Sequence, residues 1–233
     1  MTDNDIRTEE TDPMLLTPEA ARELLADAPW QRFAALGDSV ALGVGDPSPG
    51  YRTAGWSDRV AAMLAEVNPG LEYRNTGRIG ATTGQVIAEQ LPPVLDFRPD
   101  LVHLTCGGND LFRRGGMDDL RANLDALFGA VTRTGAQVFT FTLADVWDSE
   151  RMAPMRPMRD GMAALNDIVR ELGARYDALV VEFWEHPLRL RPDVMSADLI
   201  HFTTSGHAVV ASETVRALSG LIPALTSAPI PSH

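Results

Sequence analysis

Four short stretches of this 233-residue chain carry side chains that could act on one another. Gly37-Asp38-Ser39 ends an apolar run and puts a hydroxyl where that run stops. Gly80 lies in the glycine- and threonine-rich "NTGRIGATTGQ", and Asn109-Asp110 follows the pair Gly107-Gly108. Near the C-terminal end, Asp198 and His201 stand three residues apart. A serine hydroxyl is a weak nucleophile until a base takes its proton. Histidine exchanges protons near neutrality, and a carboxylate can fix its tautomer and stabilise the imidazolium. Backbone N–H groups and an asparagine amide are donors of the kind an oxyanion needs. Together these residue types could move an acyl group from an ester to serine and then to water.

Each stretch also has an ordinary reading. Gly, Asp and Ser are common turn residues, and Thr82 or Thr83 could cap a helix. Asn109 and Asp110 could satisfy loop amides, Asp198 could cap a short helical turn, and His201 could be a surface imidazole. Other candidates compete. His103 sits inside an apolar run, where a core role is expected. His207 falls at the start of the last helical pattern, as a structural or pocket-lining group. Cys106 is the only cysteine, so it forms no internal disulfide and no cysteine-rich zinc site. No Gly-x-Ser-x-Gly elbow occurs.

Placement decides between these readings. β-like runs cover Phe33–Leu36, Leu71–Arg74, Leu101–Thr105, Gln137–Leu143 and Leu179–Phe183. Several are almost wholly apolar, as parallel strands covered on both faces tend to be. Helical stripes separate them: Trp56, Val60, Met63, Val67; Leu120, Leu124, Leu127, Val131; Met158, Met162, Leu165, Val169, Leu172, Tyr176; and Ala211, Val215, Leu218, Ile222. Thr17 and Pro18 open a first helix. Strand–helix–strand alternation predicts right-handed crossovers. The expected fold is a flavodoxin-like three-layer α/β/α sandwich with a five-stranded parallel sheet. Ligands of such sheets bind at the carboxyl ends of the strands, and Ser39 falls just past the first. Residues 1–12 are expected as a disordered acidic tail, 13–225 as one domain and 226–233 as a flexible tail.

Taken in order, the four stretches resemble the SGNH hydrolases, also called the GDSL esterase and lipase family, from about Phe33 to Leu218. The resemblance makes Ser39 the nucleophile, Gly80 an oxyanion-hole glycine, Asn109 the oxyanion-hole amide, and Asp198 and His201 the acid and base. Ser39 would add its own N–H to the oxyanion hole. One departure is visible: Val40 stands where the family name implies leucine. Gly77 is a rival to Gly80 as donor. Implied is a carboxylic ester hydrolase, an esterase or deacetylase of small or medium acyl esters, that works through an acyl-enzyme without cofactor or metal. Acyl transfer from the same intermediate, a metal-dependent hydrolase using Asp198 and His201, and a non-catalytic binding module are the competing functions. Trp147, Met152 and Met155, in the loop after the fourth strand, are expected to overhang the site and line a substrate pocket.

Composition limits the partners. The formal net charge of −12, with no basic cluster, argues against nucleic acid and anionic membrane surfaces. No run approaches the about 20 apolar residues of a membrane span, and the acidic opening lacks the pattern of a secretory signal. The expected partner is a small-molecule ester and the expected address the cytoplasm. The oligomeric state is left open.

Overall fold

The computed structural model describes residues 7–112 and 116–227. In chain order the elements are α1 (Pro18–Leu25), β1 (Arg32–Gly37), α2 (Ser39–Leu42), α3 (Trp56–Val67), β2 (Glu72–Asn75), α4 (Thr83–Gln85), a π turn (Val86–Gln90) and α5 (Leu91–Phe97). There follow β3 (Leu101–Thr105), α6 (Met117–Thr132), β4 (Gln137–Phe141), a 3₁₀ stretch (Glu150–Met158), α7 (Arg159–Arg175), β5 (Leu179–Val181), α8 (Thr204–Ser219) and α9 (Ile222–Ser227). Thr17 caps α1 by accepting from the Ala20 N–H, with Pro18 in the first turn.

The five strands pair in parallel in the order β2-β1-β3-β4-β5, the flavodoxin-like arrangement with its crossover point beside β1. Side chains of a strand alternate between faces, and β1 is buried on both. Phe33 and Ala35 join a core with Trp56, Val60 and Leu64 of α3 and Val209, Val210 and Val215 of α8. Ala34 and Leu36 join a second core with Val94 of α5, Leu124 and Leu127 of α6 and Leu165 of α7. The helical stripes seen in the sequence are thus the faces turned toward the sheet. The two cores cover both faces of the sheet, so the strand ends become the place where polar groups can gather.

Three expectations change. Residues 7–12 are packed rather than a tail. Glu9 pairs with Arg52 and the buried Arg59, and Arg7 pairs with Asp193. Asp12, 5% exposed, accepts from the Tyr51 hydroxyl and from Arg191. The acidic residues are matched by arginines and a tyrosine from as far as 179 positions away, so their local charge density did not keep them in solvent. At the other end α9 runs to Ser227, so 226 and 227 are helical; 1–6 and 228–233 lie outside the described residues. Third, the stretch Thr204–Thr226 has the length and apolar content of a bilayer span. Its α8 portion is a core helix here, with Val209, Val215 and Leu218 fully buried.

Candidate active site

β1 stops because the chain must turn sharply over β3. Gly37 has φ +142°, and a Cβ there would lie 1.8 Å from the Thr105 carbonyl oxygen, so only glycine passes. Asp38 then caps the four-residue α2: its Oδ1 accepts from the Val40 N–H at 2.9 Å. Ser39 is the first residue of that helix and is 7% exposed. Beneath the turn, Gln90 presents a buried side-chain amide that accepts from the Gly37 N–H and donates to the Gly37 carbonyl, both at 2.8 Å. Gln90 ends the π turn Val86–Gln90, a winding that often marks functional positions. Sequence reading missed it; a glutamine between apolar helical residues gave no signal.

The opposite wall is the segment before α8. The helical turn expected around Asp198 is absent. The chain makes a loop with Leu199 at φ +61°, clipped at its base by the antiparallel bridge between Met195 and Phe202 and by the Ser196 N–H donating to the His201 carbonyl at 2.8 Å. Asp198 shapes this loop itself. Its Oδ1 accepts from the N–H groups of Ile200 and His201, while Oδ2 accepts from His201 Nδ1 at 2.6 Å. The other ring nitrogen, Nε2, takes the Ser39 hydroxyl at 2.7 Å. Burial pushes the Asp198 carboxyl up, but the bonds from His201 and the two backbone N–H groups outweigh it and hold it below the ordinary range. Ser39 and His201, 162 positions apart, therefore stand in one hydrogen-bonded line with Asp198.

Asp46 fastens the two walls. Its N–H donates to Ser196 Oγ at 2.8 Å, its carboxylate accepts from the Ala197 N–H at 2.7 Å, and its carbonyl accepts from the Thr204 N–H at 2.8 Å. Nothing in the sequence marked this residue, because its partners are backbone groups and a serine about 150 positions away.

The third wall comes from the loops after β2 and β3. Gly80 has φ +73°, and among the described residues no protein acceptor takes its N–H or that of Ser39. Its rival Gly77 donates to Asn75 Oδ1 at 2.8 Å and packs so closely that a Cβ would lie 2.6 Å from the Leu42 nitrogen. Gly77 is a spacer, and Gly80 keeps the free donor. Asn109 donates one amide hydrogen to the Ala81 carbonyl at 3.1 Å, which ties the two loops together. Asp110 accepts from the N–H and hydroxyl of Thr83. Burial, with Asp110 adding to it, raises Asp38 to about 7 despite the bond from Val40.

The rival groups take structural places. His103 is fully buried among Trp56, Phe139 and Phe141, and burial drives its pKa well down. His207 donates from Nε2 to the Val44 carbonyl at 3.0 Å, and burial lowers it to about 4. Burial, followed by the nearby Asp38 and Asp110, pushes the Cys106 thiol well up, away from the reactive thiolate. Among the described residues no three His, Cys, Asp or Glu side chains converge as a metal site would require.

Two cavities meet beside the Ser39–His201 pair. One, of about 110 Å³, is bordered by His201, Val44, Trp147, Met155, Phe183 and Val210. The other, of about 90 Å³, is bordered by Ser39, Asn109, Asp38, Thr105, Cys106 and Asn166. Trp147 and Met155 border the first cavity, and Met152 does not: it is 1% exposed and sealed in the core. Both methionines lie on the 3₁₀ stretch; Met152 is buried at its start, and Met155, one turn further on, reaches the opening.

The sequence pattern of the GDSL-like lipase/acylhydrolase family matches residues 35–209, from β1 into α8. The chain belongs to this family. Membership places it among hydrolases. A lipase from Streptomyces rimosus is 40% identical over 83 residues, which span 34% of this chain and 30% of that protein. A lipase/acylhydrolase from Enterococcus faecalis superposes with a TM-score of 0.64 at 23% identity, over 82% of this chain and 96% of that one. An acetylxylan esterase from Geobacillus stearothermophilus does so with 0.63 at 21%, over 81% and 94%. At these identities the solved structures speak for the fold. The GDSL pattern covers the segments bearing Ser39, Gly80, Asn109, Asp198 and His201.

Proposed function

We propose that this GDSL-family hydrolase is a serine-dependent carboxylic ester hydrolase, an esterase or deacetylase of small or medium acyl esters, acting through an acyl-enzyme on Ser39. The observation that carries the reading is the line from Ser39 Oγ to His201 Nε2 at 2.7 Å and from His201 Nδ1 to Asp198 Oδ2 at 2.6 Å. A neutral imidazole held by a carboxylate at Nδ1 presents its free Nε2 lone pair to the hydroxyl, which is what a general base requires.

As the Ser39 oxygen attacks, His201 takes its proton and the carbonyl oxygen gains charge. Three donors receive that charge: the N–H of Ser39, the N–H of Gly80, and the Asn109 amide hydrogen not engaged with Ala81. Because these groups are fixed before the substrate arrives, little reorganisation opposes the charge as it forms. His201 then protonates the leaving oxygen, and in the second half activates water to release the acid.

Ser39→Ala, a change of one buried oxygen, is expected to abolish hydrolysis of a p-nitrophenyl ester while the thermal transition stays near that of the parent. Undiminished turnover would end the reading. Asn109→Ala is expected to lower kcat by about 10²–10³ with little change in KM, since the amide acts on charge present only in the transition state. A loss confined to KM would remove Asn109 from that role.

A further inference from the structure

The two cavities differ in which catalytic group they touch. His201 borders the first and not the second; Ser39 and Asn109 border the second and not the first. Their common wall is Val40, Phe112, Phe141, Leu143, Met162 and Ile200, with Phe112 and Ile200 exposed at the rim. An ester bound at Ser39 therefore lies across a divide, with one half on each side. Which half goes where follows from the proton. In acylation the bond from Ser39 Oγ to the acyl carbon forms and the bond from that carbon to the leaving oxygen breaks. The Ser39 proton passes through His201 Nε2 to that oxygen, which departs as a neutral alcohol. The leaving oxygen must come within hydrogen-bond reach of Nε2, so its substituent points to the His201 side. The acyl carbon is bonded to Ser39 and its oxygen is turned toward Asn109, and both residues border the second cavity, so that side is the one open to the acyl substituent.

We propose that the leaving alcohol, an alkyl or aryl group, occupies the cavity walled by His201, and that the acyl group faces the cavity walled by Asn109. This rests on the serine mechanism above. The linings agree with the division. The His201 side is walled by Val44, Val146, Trp147, Met155, Phe183 and Val210, surfaces that gain by covering a hydrocarbon. The Asn109 side is also mostly apolar, with Leu104, Leu124, Phe128, Leu165 and Val169, but it adds the polar groups of Asp38, Thr105, Asn109, Thr140 and Asn166. The favoured substrates are accordingly esters of an apolar alcohol, with the larger hydrocarbon on the alcohol rather than on the acid.

Hexyl acetate and ethyl hexanoate test this cleanly, since they are isomers and differ only in which side of the ester bears the chain. For the native protein kcat/KM is expected to favour hexyl acetate by about tenfold or more, the scale of a few methylenes placed in or out of an apolar pocket. Val146→Phe, which narrows the His201-side cavity, is expected to bring that ratio toward one. Met155→Ala widens the same cavity by trimming a flexible side chain, so it remains informative if the bulkier variant fails to fold. It is expected to raise decyl acetate relative to hexyl acetate. A preference for ethyl hexanoate, equal rates for the isomers, or a Met155→Ala profile that moves with acyl length overturns the division. Labelling Ser39 with a fluorophosphonate separates the two levels of failure. Labelling with the reversed preference defeats the division alone; no labelling and no hydrolysis of either isomer defeats the serine reading beneath it.

Discussion

The two ends of the Ser39–His201–Asp198 line are held in opposite ways. At the serine end every support is buried: Gln90 clasps Gly37 from below, the Thr105 carbonyl takes the Asp38 N–H at 3.1 Å, and Asp38 itself is 4% exposed. At the aspartate end the Asp198 side chain is 46% exposed and sits on a loop that it folds around its own carboxylate. The buried end fixes position through groups that cannot find water if they lose their partners. The exposed end fixes the orientation of the imidazole through a charge that water can partly replace. Loss of a support at the serine end should therefore be felt in stability as well as in turnover, and loss of the carboxylate at the exposed end mainly in turnover.

The largest effect expected from this contrast is at Asp198. Asp198→Ala should lower kcat by about 10²–10³, short of the roughly 10⁴ typical of a buried triad carboxylate, because solvent can reach the bared Nδ1–H. A loss as deep as that of Ser39→Ala would mean that the exposed carboxylate is no more replaceable than a buried one. Next comes Gln90. Gln90→Met, similar in shape, leaves the buried N–H of Gly37 unpaired, at a cost of about 1–3 kcal/mol, while the Gly37 carbonyl keeps the Arg78 N–H at 3.2 Å. Urea unfolding should register that loss, and kcat should drop about tenfold or more while KM holds. If only stability falls and kcat is kept, Gln90 supports the fold without positioning the serine.

The smallest effect is at Asp38 and depends on pH. With a native pKa of about 7 against 3.8 for the free group, both folded and unfolded chains are protonated below about pH 4, and no penalty exists there. Between those values the unfolded chain ionises and the native one does not, so Asp38 lowers stability as pH rises, with the full penalty above about 7. Asp38→Asn keeps the oxygen that accepts from Val40. It should raise the melting temperature by a few degrees at pH 8, and the gain should vanish near pH 4. A gain of equal size at both pH values would show that ionisation is not its source.

Much of this site was legible because its chemistry sits where strand patterns end. Phe33–Leu36 announced itself by an unbroken apolar run and Leu101–Thr105 by one interrupted only by His103 before its closing threonine, and the residues that follow them, Ser39 and Asn109, inherit their place from the sheet. The groups that escaped notice are those whose partners are far away or carry no chemical signature. Gln90 bonds a glycine backbone 53 positions earlier, and Asp46 bonds a serine and backbone groups about 150 positions later. The packed segment 7–12 escaped for the same reason: its acids read as a solvated tail until Arg59, Tyr51 and Arg191 are seen to surround them.

By itself the amino-acid sequence determined the alternation of strands and helices, the family to which the chain belongs, and the types and order of the groups that meet at the sheet's edge. Those properties are written in local periodicity and in short motifs, so they survive without coordinates. Only the tertiary structure decided that Asp198 reaches His201 through a loop with Leu199 at positive φ rather than through a helical turn. It also decided that Gly80 rather than Gly77 keeps a free N–H, and that Met155 rather than Met152 faces open space. Each of those choices depends on what packs against a residue from elsewhere in the chain, and packing density is a property of the folded whole.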